Sequence, residues 1–181
     1  NIIRMKGQKM DGSIQVYYGN GRGKTTAALG LGIRAAGVGK QVIMVQFLKK
    51  KHSDTLDFLK KLEPELQIFR FEKAACGYSD LSPKEKQEQM LNIKNALGYS
   101  RKVLDTGQCD LLILDEIFGL VDYNIITIEE LMDLIAVKKD SMDLILTGRN
   151  LPDEVREIAD CVYSIQREKE KTPEILAQGN F

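Results

Sequence analysis

The sequence predicts an α/β fold, a three-layer α/β/α sandwich around a mostly parallel central sheet. Three observations predict it. Short apolar, strand-like runs alternate with helix-like stretches along the chain, the pattern that pairs strands in parallel through crossover helices. The runs Gln41–Phe47 and Leu111–Leu114 are apolar almost throughout, as strands covered on both faces are. Between the first strand and the first helix lies the glycine-rich turn Gly19-Asn20-Gly21-Arg22-Gly23-Lys24-Thr25-Thr26.

The elements follow in order. Residues 1–12 read as a loose polar arm and residues 167–181 as a tail, within one domain spanning residues 1–181. The first strand is about Ile14–Tyr18 and the first helix about Lys24–Ala36, which Gly37 and Gly39 stop. Gln41–Phe47 is the second strand, and Ser53 caps a short helix to about Leu62. Gln67–Phe71 is a weaker third strand. Glu72–Leu81 has no periodicity and reads as a functional loop. Ser82-Pro83-Lys84-Glu85 is a capping box with proline at the first helical position. Its helix runs to about Asp105, with Met90, Ile93, Leu97 and Leu104 on one face, interrupted by Arg101. Leu111–Glu116 is a strand, Thr127 caps a helix to about Lys139, and Asp143–Thr147 is the next strand. Pro152–Ala159 is a short helix and Cys161–Gln166 the last strand.

In such sheets ligands bind beyond the carboxyl ends of the strands, and the unusual residues lie there. The turn after the first strand reads as a phosphate-binding loop. Its glycines let successive N–H groups point at an anion, the following helix adds its positive end, Lys24 reaches terminal phosphates, and the Thr25 hydroxyl suits Mg²⁺. Gly19, Asn20, Gly21, Arg22, Gly23, Lys24, Thr25 and Thr26 are thus the nucleotide-binding candidates. The common loop has four residues between its first glycine and Gly-Lys, whereas Gly19 and Gly23 enclose three.

The fourth strand ends in Asp115-Glu116, which with a phosphate loop reads as the acid motif on the metal side. Asp115 would hold Mg²⁺ directly or through water. Glu116 would ligate the metal, orient a substrate or activate water. Other strand ends carry residues with two readings each. Gln46 reaches the nucleotide or satisfies a strand-end backbone group. Tyr78 faces a flat ligand or anchors its own loop. Arg149 contacts phosphate or flanks a helix on the surface. The run Lys49-Lys50-Lys51 is a solvated face or attracts an anionic substrate.

Composition narrows the classes. The 26 basic and 26 acidic residues balance, which argues against a general nucleic-acid binder. No apolar run is long enough to span a membrane, and the start does not read as a secretory signal, so the expected compartment is the cytoplasm. The single histidine, His52, rules out a multi-histidine metal site. The cysteines Cys76, Cys109 and Cys161 lack zinc or redox spacing, and Cys109 and Cys161 read as small buried residues.

Together, Gly19–Gly30, Val45-Gln46-Phe47-Leu48-Lys49, Leu112–Ile117, Leu146-Thr147-Gly148-Arg149, Ala159-Asp160 and Ala177-Gln178-Gly179 resemble the ATP:corrinoid adenosyltransferases of cobalamin biosynthesis and salvage. The shortened loop is part of that family's pattern. The resemblance implies transfer of the 5′-deoxyadenosyl group of ATP to cobalt(I) of a corrinoid, with release of triphosphate. Lys24 and Glu116 become the catalytic candidates, and Thr25, Asp115 and Glu116 the Mg²⁺ ligands. It also implies a nucleotide held the opposite way round from ordinary phosphate-loop enzymes, a homodimer, and an electron donor such as a flavodoxin. Cobalt(I) is itself the nucleophile, so none is needed from the protein. Two segments depart from the family's pattern. Asp80 in Gly77-Tyr78-Ser79-Asp80 stands where a tryptophan is expected, and Lys171-Thr172-Pro173 replaces a Lys-His-Pro segment. The competing readings are an ordinary phosphate-loop kinase or ATPase and a non-catalytic nucleotide or corrinoid binder.

Overall fold

The computed structural model describes residues 11–49, 59–71 and 81–169. Its strands are β1 (Ile14–Tyr18), β2 (Val42–Gln46), β3 (Leu66–Arg70), β4 (Leu111–Asp115), β5 (Asp143–Gly148) and β6 (Cys161–Ser164). They form one six-stranded sheet in the order β3-β2-β4-β5-β1-β6, and every pairing is parallel. The helices are α1 (Lys24–Ala36), α2 (Pro83–Thr106), α3 (Ile117–Asp122), α4 (Ile128–Ala136) and α5 (Asp153–Ile158), with a 3₁₀ turn at Lys60–Leu62.

The apolar runs bury both faces of the central strands. Ile43 and Val45 of β2, Leu112 and Leu114 of β4, and Leu144 and Leu146 of β5 join a core with residues of α2, α3, α4 and α5. Their alternate neighbours Val42, Met44, Leu111, Ile113 and Ile145 pack on the other face with Ala28 of α1. The two-residue period of a strand divides one continuous apolar run between two cores, which gives the three layers. Truncating a fully buried side chain such as Phe118 in the larger core would cost about 3–5 kcal/mol.

The capping boxes form as the sequence predicts. Ser82 accepts from the Glu85 amide while the Glu85 carboxylate accepts from the Ser82 amide, and Thr127 and Glu130 repeat the exchange. Several details differ. In α2 the buried face is Gln89, Ile93, Ala96, Ser100, Val103 and Leu104, so it runs through two polar residues that apolar periodicity alone passes over. Met90 and Leu97 lie only partly buried beside it. Helix α4 stops at Ala136, short of Lys139. Helix α3 had no sequence signal: it starts directly after Glu116 without a polar cap, and four of its six residues are buried. Gly148 makes room for it, since a Cβ there would sit 2.4 Å from the Phe118 Cβ. Cys109 is buried as expected, but Cys161 is exposed, because β6 is an edge strand and covers little of its own face. The helix expected from Ser53 falls mainly outside the described residues. His52, Cys76, Tyr78 and Asp80, and the Thr172 and Ala177-Gln178-Gly179 segments, lie wholly outside them.

The start of β1 is pinned. The Ser13 amide and hydroxyl donate to Asp143 Oδ1 at 2.9 and 3.0 Å, and Lys40 Nζ donates to Asp143 Oδ2 at 2.9 Å. Gly12 packs against the backbone of Met142, where no side chain would fit. At its other end β1 delivers the glycine loop to the carboxyl edge of the sheet, with β5 standing between β1 and the acid-bearing β4.

Candidate functional site

The glycine loop is held from beneath by two neighbouring strands. The Gly19 amide donates to the carbonyls of Gly148 and Arg149 at 3.2 and 3.0 Å, and the Gly21 amide to Ile165 at 2.9 Å. Gly19 has φ +121° and Gly23 φ +112°, a region that side chains disfavour, so these two glycines make the curl possible. The Lys24 ammonium donates to the carbonyls of Gly19 and Gly21 at 2.7 and 3.0 Å, closing the loop into a ring. Burial pushes the Lys24 amine below its usual value of 10.5, an effect that Glu116 and Asp115 oppose and Lys49 and Arg149 reinforce. An ammonium held this way gains most from an anion placed beside it.

Asp115 ends β4 fully buried. Its carboxylate collects the hydroxyl of Thr25, which donates at 2.9 and 3.0 Å to its two oxygens, the Thr147 hydroxyl at 2.7 Å, and Gln46 Nε2 at 3.0 Å. Lys49 Nζ lies 3.5 Å from Asp115 Oδ2 and donates to Thr25 Oγ1 at 3.2 Å. Gln46 is in turn fixed by Arg70, whose Nε donates to Gln46 Oε1 at 2.7 Å. Burial lowers the Arg70 guanidinium, and the Asp115 charge counters part of that shift.

Glu116 follows in a left-handed conformation, φ 63°, which turns the chain from β4 into α3. Its amide donates to Thr147 Oγ1 at 2.8 Å. The adjacent carboxylates therefore part company: Asp115 is sealed at the strand end, while Glu116 faces a cavity of about 380 Å³. That cavity is lined by Asn20, Gly21, Arg22, Gly23, Lys24 and Thr25 of the loop, and by Lys49, Glu116, Arg149 and Arg167. Five lining residues are basic (Arg22, Lys24, Lys49, Arg149, Arg167) and one is acidic, so the cavity suits a polyanion.

Most residues singled out in the sequence thus meet here. Thr26 is exposed on the first turn of α1 and is absent from the cavity wall, and Gln46 is buried behind Asp115. Sequence reasoning missed the roles of Thr147, Arg70 and Arg167. Thr147 was visible only as a strand-end residue, and nothing local marks Arg70 or Arg167. Lys49 was visible as the first member of a basic run and the last residue of the Val45–Lys49 segment, with no contact to Asp115 foreseen.

Thr25 and Asp115 are hard oxygen donors of the kind that suits Mg²⁺, and a lysine ammonium already rests against both, so a cation fits between them. Among the described residues no three His, Cys, Asp or Glu side chains cluster.

Comparison with known proteins agrees with this geometry. Among solved structures, a KaiC-like protein from Pyrococcus horikoshii superposes with a TM-score of 0.57 at 20% identity, over 90% of this chain and 75% of that one, a likeness of fold alone. The corrinoid adenosyltransferase of Escherichia coli K12 is 30% identical over 155 residues, 86% of this chain and 76% of the relative. The corrinoid adenosyltransferase CobA of Salmonella typhimurium LT2 is 30% identical over 159 residues, 88% and 79% of the two chains. A family model described as ATP:corrinoid adenosyltransferase BtuR/CobO/CobP matches residues 10–178. With nearly its whole length matched, and its loop and Glu116 brought together in one basic cavity, the chain belongs to the ATP:corrinoid adenosyltransferase family of enzymes.

Proposed function

We propose that the chain transfers the 5′-deoxyadenosyl group of ATP to cobalt(I) of a corrinoid, in cobalamin biosynthesis or salvage. The cobalt(I) electron pair forms the bond to C5′, the C5′–O bond breaks, and its electrons leave with triphosphate. The observation that carries this reading is the cavity wall: among the described residues it sets five basic side chains, Arg22, Lys24, Lys49, Arg149 and Arg167, against the single acid Glu116. Such a wall suits a reaction whose main demand is stabilising a departing polyanion.

Within that reading Lys24 bridges the loop and the leaving phosphates, and Arg22, Arg149 and Arg167 neutralise their outer oxygens. Thr25 and Asp115 would hold Mg²⁺, which supplies charge neutralisation on the triphosphate. Thr147 and Gln46 keep Asp115 oriented, with Arg70 behind Gln46. Glu116, at the cavity wall, orients the nucleotide or a water ligand of the metal. The shortened loop fits a ligand gripped by its triphosphate with C5′ exposed. A homodimer, a flavodoxin-like electron donor and a cytoplasmic setting belong to the same reading, supported by the family likeness. Among the described residues no helix is long and apolar enough to cross a membrane.

The test mixes the protein with Mg·ATP, a corrinoid and a strong reductant, follows the corrinoid spectrum under dim light, and identifies the phosphate products. A light-sensitive product with triphosphate is expected. ADP without alkylation would instead make the protein a kinase or ATPase, and binding without turnover a carrier. Lys24→Ala should abolish turnover, and full activity in that variant would remove the loop from the mechanism.

A further inference from the structure

Lys49 is seated where a basic surface run would not place it. The chain leaves β2 through Phe47, which is buried, and Leu48, whose φ of 55° lies in the left-handed region. A leucine in that conformation costs roughly 1–2 kcal/mol, so its surroundings must offset the strain for it to persist. Gly119 of α3 gives the Leu48 side chain its space, since a Cβ there would lie 2.6 Å from Leu48 Cδ1. The turn brings Lys49 back over the strand ends, 3.5 Å from Asp115 Oδ2 and 3.2 Å from Thr25 Oγ1. Its side chain is 29% exposed and that of Asp115 is 0% exposed. A buried carboxylate served by neutral donors alone is costly, and an ammonium at this distance supplies a counter-charge. The other nearby cations are engaged differently: Lys24 with the Gly19 and Gly21 carbonyls, and Arg70 one step back through Gln46.

We propose that Lys49 is the built-in counter-ion of the Thr25–Asp115 pair. Its ammonium holds the place of the divalent cation before Mg·ATP arrives, and lysine and metal compete for the same two side chains. Once displaced, the ammonium stays at the cavity wall, where the triphosphate is the next anion within reach. Lys49 is therefore a positioning residue that balances the Asp115 carboxylate and keeps it aimed in the empty enzyme, and it sets how strongly the site takes metal without nucleotide. The proposal rests on the reading of Thr25 and Asp115 as the metal's protein ligands.

The experiment titrates nucleotide-free protein with Mn²⁺ and reads free Mn²⁺ by electron paramagnetic resonance, with no turnover involved. Lys49→Met should bind Mn²⁺ about tenfold more tightly than wild type, because a unit charge next to the ligands is gone. Lys49→Arg, which keeps the charge, should stay within about threefold of wild type. Arg149→Met, which removes a cavity charge not in contact with Asp115, should gain far less than Lys49→Met. Unchanged affinity in Lys49→Met overturns the proposal, as does an equal gain in Arg149→Met or in Lys49→Arg. Asp115→Asn distinguishes the two levels of the argument. Loss of Mn²⁺ binding in that variant, with Lys49→Met unchanged, sinks the lysine's role and leaves the metal site standing. Binding unaffected by Asp115→Asn sinks the metal site and the lysine's role with it.

Discussion

The Thr147 hydroxyl binds the two acids of the site to each other's position: it donates to Asp115 Oδ1 at 2.7 Å and accepts from the Glu116 amide at 2.8 Å. One fully buried hydroxyl at the end of β5 therefore orients both a sealed carboxylate and the backbone turn that aims its neighbour into the cavity.

Thr147→Val tests this link with little change of volume. It leaves the Glu116 amide without its acceptor and Asp115 short of a donor, so a stability loss of about 1–3 kcal/mol is expected in urea unfolding. Turnover should fall more than ATP affinity, since the loop itself is untouched. Thr147→Ser should recover most of both. A valine variant as stable and active as wild type would remove Thr147 from the site.

The sequence made much of this arrangement legible, for physical reasons that differ by residue. The meeting of the Gly19–Thr25 loop with Asp115 was readable because a glycine turn after one apolar strand and an acid at the end of another both fall at the carboxyl edge of a parallel sheet. The bounds of β1 and α1 were readable because a glycine turn precedes the helix and glycines follow it. Helix α3 was not, since it is six residues long, lacks a capping side chain, and owes its existence to tertiary burial of Ile117, Phe118 and Leu120. The Arg70–Gln46–Asp115 chain was not readable either. It depends on β3, β2 and β4 lying side by side with Arg70, Gln46 and Asp115 in register, a fact of strand order that no local pattern contains.

The two described cysteines should separate cleanly in a thiol assay. Burial pushes the Cys109 thiol up to about 12, so at pH 8 about one molecule in ten thousand carries the thiolate there. Cys161 is exposed on the edge strand. In a Cys76→Ser background, one thiol per chain should react promptly with a colorimetric disulfide reagent at pH 8, and a second only after denaturation. Two prompt thiols would mean that β4 is not packed over Cys109 as described.

Asp143 should contribute to acid stability. Burial pushes its carboxyl up, but the Ser13 amide, the Lys40 ammonium and the Ser13 hydroxyl outweigh it and hold it below 3.8. A carboxyl depressed in the folded state stabilises fully above its unfolded value and loses that contribution as pH falls through the folded one. The gap in urea midpoint between wild type and Asp143→Asn should thus be constant at neutral pH and close on acidification below 3.8. A gap independent of pH would show that the contact acts through hydrogen bonds alone.

Gly21 sits at the tip of the shortened loop, and its requirement is space rather than backbone angle. A Cβ there would lie 2.8 Å from the Ile165 carbonyl oxygen and 2.9 Å from the Gln166 carbonyl carbon, both backbone atoms. The same Ile165 carbonyl accepts the Gly21 amide at 2.9 Å, so the loop tip rests on the chain leaving β6. Gly21→Ala must push one of these segments away. Overpacking of this kind costs about 1–3 kcal/mol, small enough for the fold to survive. The Gly21 carbonyl that accepts from the Lys24 ammonium would be displaced with it, so ATP affinity should fall by about tenfold or more. Asn20→Ala, one residue earlier and exposed, should change stability little and serves as the control for the packing cost alone. If Gly21→Ala binds ATP as tightly as wild type, as read by calorimetry, the loop does not grip triphosphate through the shape described, and the shortening by one residue loses its explanation.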